Sequence, residues 1–112
     1  MDGQSKPLVW LHGEIKTPPF TARARVECGL LLRKLQGGEA LGMPSCRPMP
    51  SIGPACFELR VRDVDKNWRI VVHTAVAAIV ILEVFHKNTR ATPSSIIATC
   101  RKRLSKFVEE QA

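Results

Sequence analysis

The stretch from Phe57 to Pro93 limits the folds open to this chain more than any other. Phe57, Leu59 and Val61 alternate with Glu58, Arg60 and Arg62, the two-residue period of a half-buried strand whose charged side points away from the core. Arg60 and Arg62 therefore share a face. Asp63 to Asn67 has turn chemistry, and the next strand sets Trp68, Ile70 and Val72 on one side and Arg69, Val71 and His73 on the other. With the first set in the core, Arg69 and His73 look outward. A third apolar run ends in Phe85-His86-Lys87-Asn88-Thr89. Its start through Ala75 to Ala78 lacks Gly, Asn and Pro and suits a buried helix as well, but β-branched Val80, Ile81 and Val84 favour a strand. Which of His73 and His86 meets solvent depends on register, because a slip of one residue exchanges the faces.

The flanks supply helices. Leu8 to Leu11 can open as a short strand, and Thr17-Pro18-Pro19 punctuates the chain before a helical pattern. Ala24, Cys28, Leu31 and Leu35 fall on one helix face, leaving Arg23, Glu27, Arg33 and Lys34 to water. Gly37-Gly38 stops that helix. Gly37 to Pro54, rich in Gly, Pro and Ser, reads as one long ordered loop. Thr92-Pro93 reads as a helix entrance, with Thr92 as N-cap and Pro93 at the first helical position. Ile97, Cys100, Leu104 and Phe107 form the apolar stripe of the helix that follows, and Arg101, Lys102, Arg103 and Lys106 form its basic side. That basic side is a solvated face or a groove-binding one. There is no internal repeat.

At 112 residues the chain suits a single domain, 1–112, burying roughly two-thirds of its unfolded surface, enough for a core without metal or disulfide staples. The expected class is α+β. A formal charge of +7, drawn from both ends and the middle, makes a field that favours polyanions: nucleic acid or an acidic protein. Cys28, Cys46, Cys56 and Cys100 show no C-x-x-C pair and no histidine at ligand spacing, so buried thiols are expected and no metal or cofactor. Met1 to Lys6 is polar, and no secretory signal is read there. The longest apolar block, Ile70 to Leu82, is broken by His73 and Thr74 and falls short of the ~20 residues a spanning helix needs. A soluble, cytoplasmic protein without membrane association is expected.

Cleaving RNA without a metal requires a base for the 2′-hydroxyl proton, an acid for the leaving 5′-oxygen, and cations for the charge that grows on phosphorus. Arg60 and Arg69 suit bidentate phosphate contact, and adjacent antiparallel strands bring such side chains within about 5 Å at Cβ. His86 or His73 can exchange a proton near neutral pH. Lys87 can pair with phosphate or, with its pKa depressed by neighbouring cations, act as a base. Arg62, His73, Lys66 and Arg90 are candidate RNA contacts. The competing account is that the arginines bridge to Glu58, Glu83 or Asp63 and the histidines only pack.

Pro18-Pro19-Phe20, Leu32-Arg33-Lys34-Leu35-Gln36-Gly37-Gly38-Glu39, Phe57-Glu58-Leu59-Arg60-Val61, Trp68-Arg69-Ile70, Phe85-His86-Lys87-Asn88-Thr89, Thr92-Pro93 and Cys100-Arg101-Lys102-Arg103-Leu104 stand in an order and spacing that resembles the RelE/ParE superfamily of bacterial toxins, within it the HigB-like, phage-derived branch. The resemblance runs from Pro7 to Phe107. It implies helix packing on one side of a small, mainly antiparallel sheet, with an N-terminal and a C-terminal helix. It further implies a ribosome-dependent mRNA endonuclease that inhibits translation, held in check by a cognate antitoxin such as a helix-turn-helix protein, with mRNA and the ribosome as partners. Carried over by motif, Arg60, Arg69 and Lys87 are the catalytic cations, with His86 as a possible acid or base. The chain has no tyrosine, leaving a role that tyrosine fills in some relatives vacant, and Asn88 stands where relatives often have a second lysine. His73 as proton carrier or Trp68 as stacking plane would be partial substitutes, although Trp68 suits the core better. A non-enzymatic protein of the same fold, such as a gyrase inhibitor, is the alternative.

Overall fold

The computed structural model describes residues 5–87 and 91–111, which form β1 (Leu8–Trp10), α1 (Ala22–Gln36), β2 (Cys46–Pro48), β3 (Cys56–Arg62), β4 (Asn67–Thr74), β5 (Ile79–His86) and α2 (Ser94–Gln111). The strands make one sheet in the order β1-β5-β4-β3-β2. β1 runs parallel to β5, and every other neighbouring pair is antiparallel. This is the expected α+β arrangement. The return from β4 to β5 is a tight turn closed by Ala75 N–H to Ala78 carbonyl at 2.9 Å, with Val76 exposed at its tip.

Alternation sorts the strand residues onto two faces, and a helix covers each. On the first, Leu59, Val61, Trp68, Ile70, Val72, Ile79 and Ile81 pack with Ala24, Cys28, Leu31, Leu32 and Leu35 of α1. On the second, Cys56, Val71, Val80 and Leu82 pack with Cys100 and Leu104 of α2. The second helix corrects the expectation of helix packing on one side only. It also changes what "outward" means on β3 and β4, because residues opposite the first core enter a second one.

Helix α1 begins where Thr21 Oγ1 accepts from the Ala24 N–H, and the same hydroxyl donates to Asp63 Oδ1 at 2.7 Å. It ends in a Schellman closure, Gly38 N–H to Leu35 carbonyl and Glu39 N–H to Lys34 carbonyl. Gly38 takes φ +87° there, which a glycine adopts without strain. Asp63 Oδ2 also accepts from Trp68 Nε1 and from the Thr21 N–H, both at 3.0 Å, tying the helix to the β3–β4 turn. Trp68 stacks on Phe20 with ring centroids 3.8 Å apart, so it is a core residue rather than a plane for RNA bases.

Two local expectations need correction. The segment 37–54 is not all loop: β2 pairs with β3, placing Cys46 beside Leu59 in the first core, and Met49 and Ile52 anchor the rest in the second. Long-range pairing and burial overrode its turn-forming composition. At the start of α2 the Pro93 carbonyl accepts from the Ile96 and Ile97 N–H groups, so the helix begins one residue later than expected. The Thr92 hydroxyl donates to Glu58 instead. Among the described residues, no helix is long and apolar enough to cross a membrane.

Candidate nucleic-acid interface

Directly opposite residues on antiparallel strands share a face, and β3 and β4 put Arg60 opposite Arg69. Two like charges so placed repel. Glu58, two residues before Arg60 on the same face and fully buried, supplies the countercharge: its Oε1 lies 3.1 Å from Arg60 Nε and 3.8 Å from Arg69 Nε. Its Oε2 accepts from the Thr92 hydroxyl at 2.6 Å. Arg47 on β2 stands directly opposite Glu58. Two guanidiniums thus share one carboxylate, with a third arginine on the neighbouring strand. Burial pushes Arg69's pKa down, Glu58 opposes that, and Arg60 and Arg47 add to it; a guanidinium nonetheless stays charged. Among the described residues, neither Arg60 Nη2 nor Arg69 Nε has a hydrogen-bond partner, although both atoms are buried. Buried donors with positive charge and no acceptor are what an incoming anion satisfies.

The sequence allows the arginines either to bind phosphate or to bridge to a carboxylate. They bridge to Glu58, and they still leave donors over. The outward position expected for Arg69 is corrected: it is only 9% exposed, and Thr92, just before α2, bonds the Glu58 carboxylate beside it.

A β-bulge decides the far edge. Val71 pairs with Glu83 while Val72 pairs with Ile81, so Leu82 is an extra residue in β5. Arg103 of α2 donates to the Leu82 carbonyl at 2.8 Å and reaches Glu83 Oε2 at 3.2 Å. Beyond the bulge the alternation is inverted. Phe85 falls opposite Arg69 and packs in the α2 core, whereas His86 falls opposite Trp68, which its ring meets edge-on at 5.4 Å. His86 is therefore on the face opposite the arginine pair. Lys87 continues the Phe85 side: its N–H bonds the Asn67 carbonyl, and its Nζ bonds the carbonyl of Ala91, a residue that lines the same cleft as Arg47 and Thr92.

The other candidates spread out. His73 lies on the arginine face but four residues along β4 from Arg69, roughly 13 Å at the rise of a strand. There its Nδ1 is 3.1 Å from the Pro54 carbonyl and 3.7 Å from Cys56 Sγ. Arg62 is exposed at the end of β3, on the Arg60 side. Lys66 sits in the β3–β4 turn, 3.4 Å from Asp65. Arg90 lies outside the described residues, as do Asn88 and Thr89. The arrangement thus brings Arg60, Arg69, Arg62 and Lys87 to one end of one face and leaves out His86 and His73.

Sequence reasoning missed Arg47 and the hydroxyl of Thr92 as members of the cluster. Arg47 carried no signal, because the short strand that holds it is specified by its partner β3. Glu58 was legible as a face-mate of Arg60 but not as buried. The four cysteines are free and buried, as expected. Burial pushes the thiols of Cys28 and Cys100 up to about 12 and that of Cys56 up to about 11, which suits packing and not nucleophilic chemistry.

A family model described as phage derived protein Gp49-like (DUF891) matches residues 18–105, most of the chain and all of the sheet except β1. No curated protein matches the sequence, and no solved structure matches it.

Proposed function

The chain belongs to the phage-derived Gp49-like family, which is associated with the toxins of toxin-antitoxin pairs, and from that premise we propose that it is a type II toxin acting as a ribosome-dependent mRNA endonuclease. On this reading it is a HigB-like member of the RelE/ParE superfamily, restrained by a cognate antitoxin such as a helix-turn-helix protein. The observation that carries the proposal is the Arg60–Arg69 pair over buried Glu58, with two buried guanidinium nitrogens that have no acceptor among the described residues.

The chemistry follows from charge. A phosphodiester seated on the pair accepts from both forks, and the growing negative charge on phosphorus during 2′-oxygen attack strengthens those bonds more than the ground state does. The 2′-hydroxyl gives its proton to a water molecule as its oxygen bonds to phosphorus, and the bond from phosphorus to the 5′-oxygen breaks as that oxygen takes a proton from the Lys87 ammonium or from water. Lys87, on the same side, neutralises charge or carries one of those protons. Glu58 keeps the two arginines from repelling each other before RNA arrives. An acidic antitoxin segment over this face would compete for the same donors.

Expression in bacteria followed by mapping of mRNA 5′ ends should reveal cuts inside translated messages, and Arg69→Ala and Lys87→Ala should abolish them. Intact messages during growth arrest would sink the nuclease reading. Two observations favour a second reading: the chain has no tyrosine, and His86 faces away from the arginine pair. A toxin of this fold that binds without cleaving, such as a gyrase inhibitor, accounts for that and predicts DNA-damage signalling with RNA ends unchanged.

A further inference from the structure

A cleft of about 300 Å³ opens beside the arginine cluster, between residues 47–51 and the start of α2. Its base is apolar, made by buried Met49 and half-buried Ile97, with Pro48 at its side. Its polar lining residues are Arg47, Ser51 and Thr92. An apolar floor with a few hydrogen-bonding groups at the edge suits a flat aromatic ring with polar edges, and an arginine plane is a stacking partner for such a ring.

The cleft and the phosphate cluster share walls. Thr92 lines the cleft and donates to Glu58, and Arg47 lines it and stands opposite Glu58 on the next strand. Arg47 and Arg60 are diagonal neighbours across that pair of strands, about 7–8 Å apart, a separation one nucleotide spans. A phosphate on the arginine pair therefore places the base attached to it, or the adjoining one, at the mouth of the cleft. An isolated inorganic anion would gain nothing from Met49 and Ile97.

The geometry points to a nucleobase subsite here, in which one unstacked base of single-stranded RNA inserts between the 47–51 segment and the start of α2. The inference rests on RNA being the polyanion proposed above. It assigns to the proline-rich segment the task of holding a base and to Arg47 that of stacking on it. Because 47–51 is anchored through Met49 and Ile52 in the second core, the cleft is preorganised and loses little entropy on binding.

The test is a nuclear magnetic resonance titration of the full chain with three probes: adenosine monophosphate, uridine monophosphate and ribose 5-phosphate. All three should shift the Arg60 and Arg69 side-chain resonances, and only the two nucleotides should shift Met49, Ser51 and Ile97. The nucleotides should bind about tenfold more tightly than the sugar phosphate. Ser51→Trp, at an exposed position, fills the cleft and should bring the three probes to equal affinity, while Arg69→Ala should weaken all of them alike. Equal binding of nucleotide and sugar phosphate by the unaltered protein, with shifts confined to the arginines, would overturn the base subsite and leave the phosphate site standing. If no probe moves Arg60 or Arg69, the RNA reading fails and the subsite falls with it.

Discussion

The two faces of the sheet are built from the same three long strands, yet they obey different rules. The core of the α1 face is apolar, with five buried residues from the helix over seven from those three strands. Its polar link, Asp63, lies at the margin and is saturated by hydrogen bonds. The α2 face is apolar toward Val71, Val80 and Leu82; at the other end Glu58, Arg60 and Arg69 stand beside Phe85 in positions that apolar side chains fill on the α1 face. The helix over it buries two residues. Period-two patterning says which side a residue points to. It does not say what covers that side, and here the charged residues are covered.

Leu59 and Glu58 are neighbours on β3 with opposite surroundings. Leu59 points into the α1 core and Glu58 into the α2 side, and both are fully buried. Leu59→Ala removes three carbons from a packed site and should lower unfolding free energy by about 3–4 kcal/mol in urea titrations. Activity of the folded fraction should be unchanged. Glu58→Gln keeps the volume but leaves Arg60 and Arg69 facing each other without a countercharge. A loss of about 2 kcal/mol is expected, below the figure for a fully buried pair because Arg60 keeps some solvent. Added phosphate should restore more stability to that variant than to the parent in thermal melts; an equal gain in both would show that the arginines do not receive the anion.

Asp63 makes the stability of the α1 side depend on pH. Burial alone would raise its pKa, but bonds from the Thr21 N–H and hydroxyl, Trp68 Nε1 and the Val64 N–H outweigh it and hold the carboxyl well below its usual 3.8. A depressed folded-state pKa means that the unfolded chain binds the proton more readily. The contribution is therefore complete above about pH 4 and drains away as the pH falls from there toward the depressed value. Asp63→Asn should be less stable than the parent at neutral pH, and the gap should narrow in acid. Unfolding curves at pH 7, 4 and 2.5 check this, and a gap that stays constant would contradict it.

The smallest expected effect is a difference in rate. Cys28 and Cys46 lie under α1, Cys56 and Cys100 under α2. Because α2 contributes fewer buried residues, its face should open first. Alkylation followed by mass spectrometry should label Cys56 and Cys100 before Cys28 and Cys46. The reverse order would mean that the charged face is the more firmly closed of the two.

Much of this fold was legible in the residues. The Phe57 to Val61 alternation, the turn at 63–67, the Ala24 to Leu35 stripe with its Gly37-Gly38 stop and the Ile97 to Phe107 stripe all correspond to elements found. Each is a local pattern whose period survives without knowledge of a partner. The placement of Arg60 and Arg69 together was legible for the same reason, since a short turn joins their strands. The burial of Glu58, the strand at Cys46–Pro48 and the diversion of the Thr92 hydroxyl were not, because each depends on a contact with residues far away in the chain. The apolar β4–β5 pair concealed its bulge, since every residue from Val71 to Leu82 except His73, Thr74 and the turn is buried or nearly so, and no polar position marks the inversion.

By themselves, the residues determined that a basic α+β chain would set arginines side by side on paired strands, because side-chain direction along a strand follows from the backbone alone. Tertiary structure decided the rest of the site. Leu82 bulges where β5 meets α2, and that single extra residue turns His86 to the tryptophan side and leaves Phe85 and Lys87 with the arginines. Register across a sheet is a property of the assembled pair, and a shift of one residue reverses every side chain beyond it.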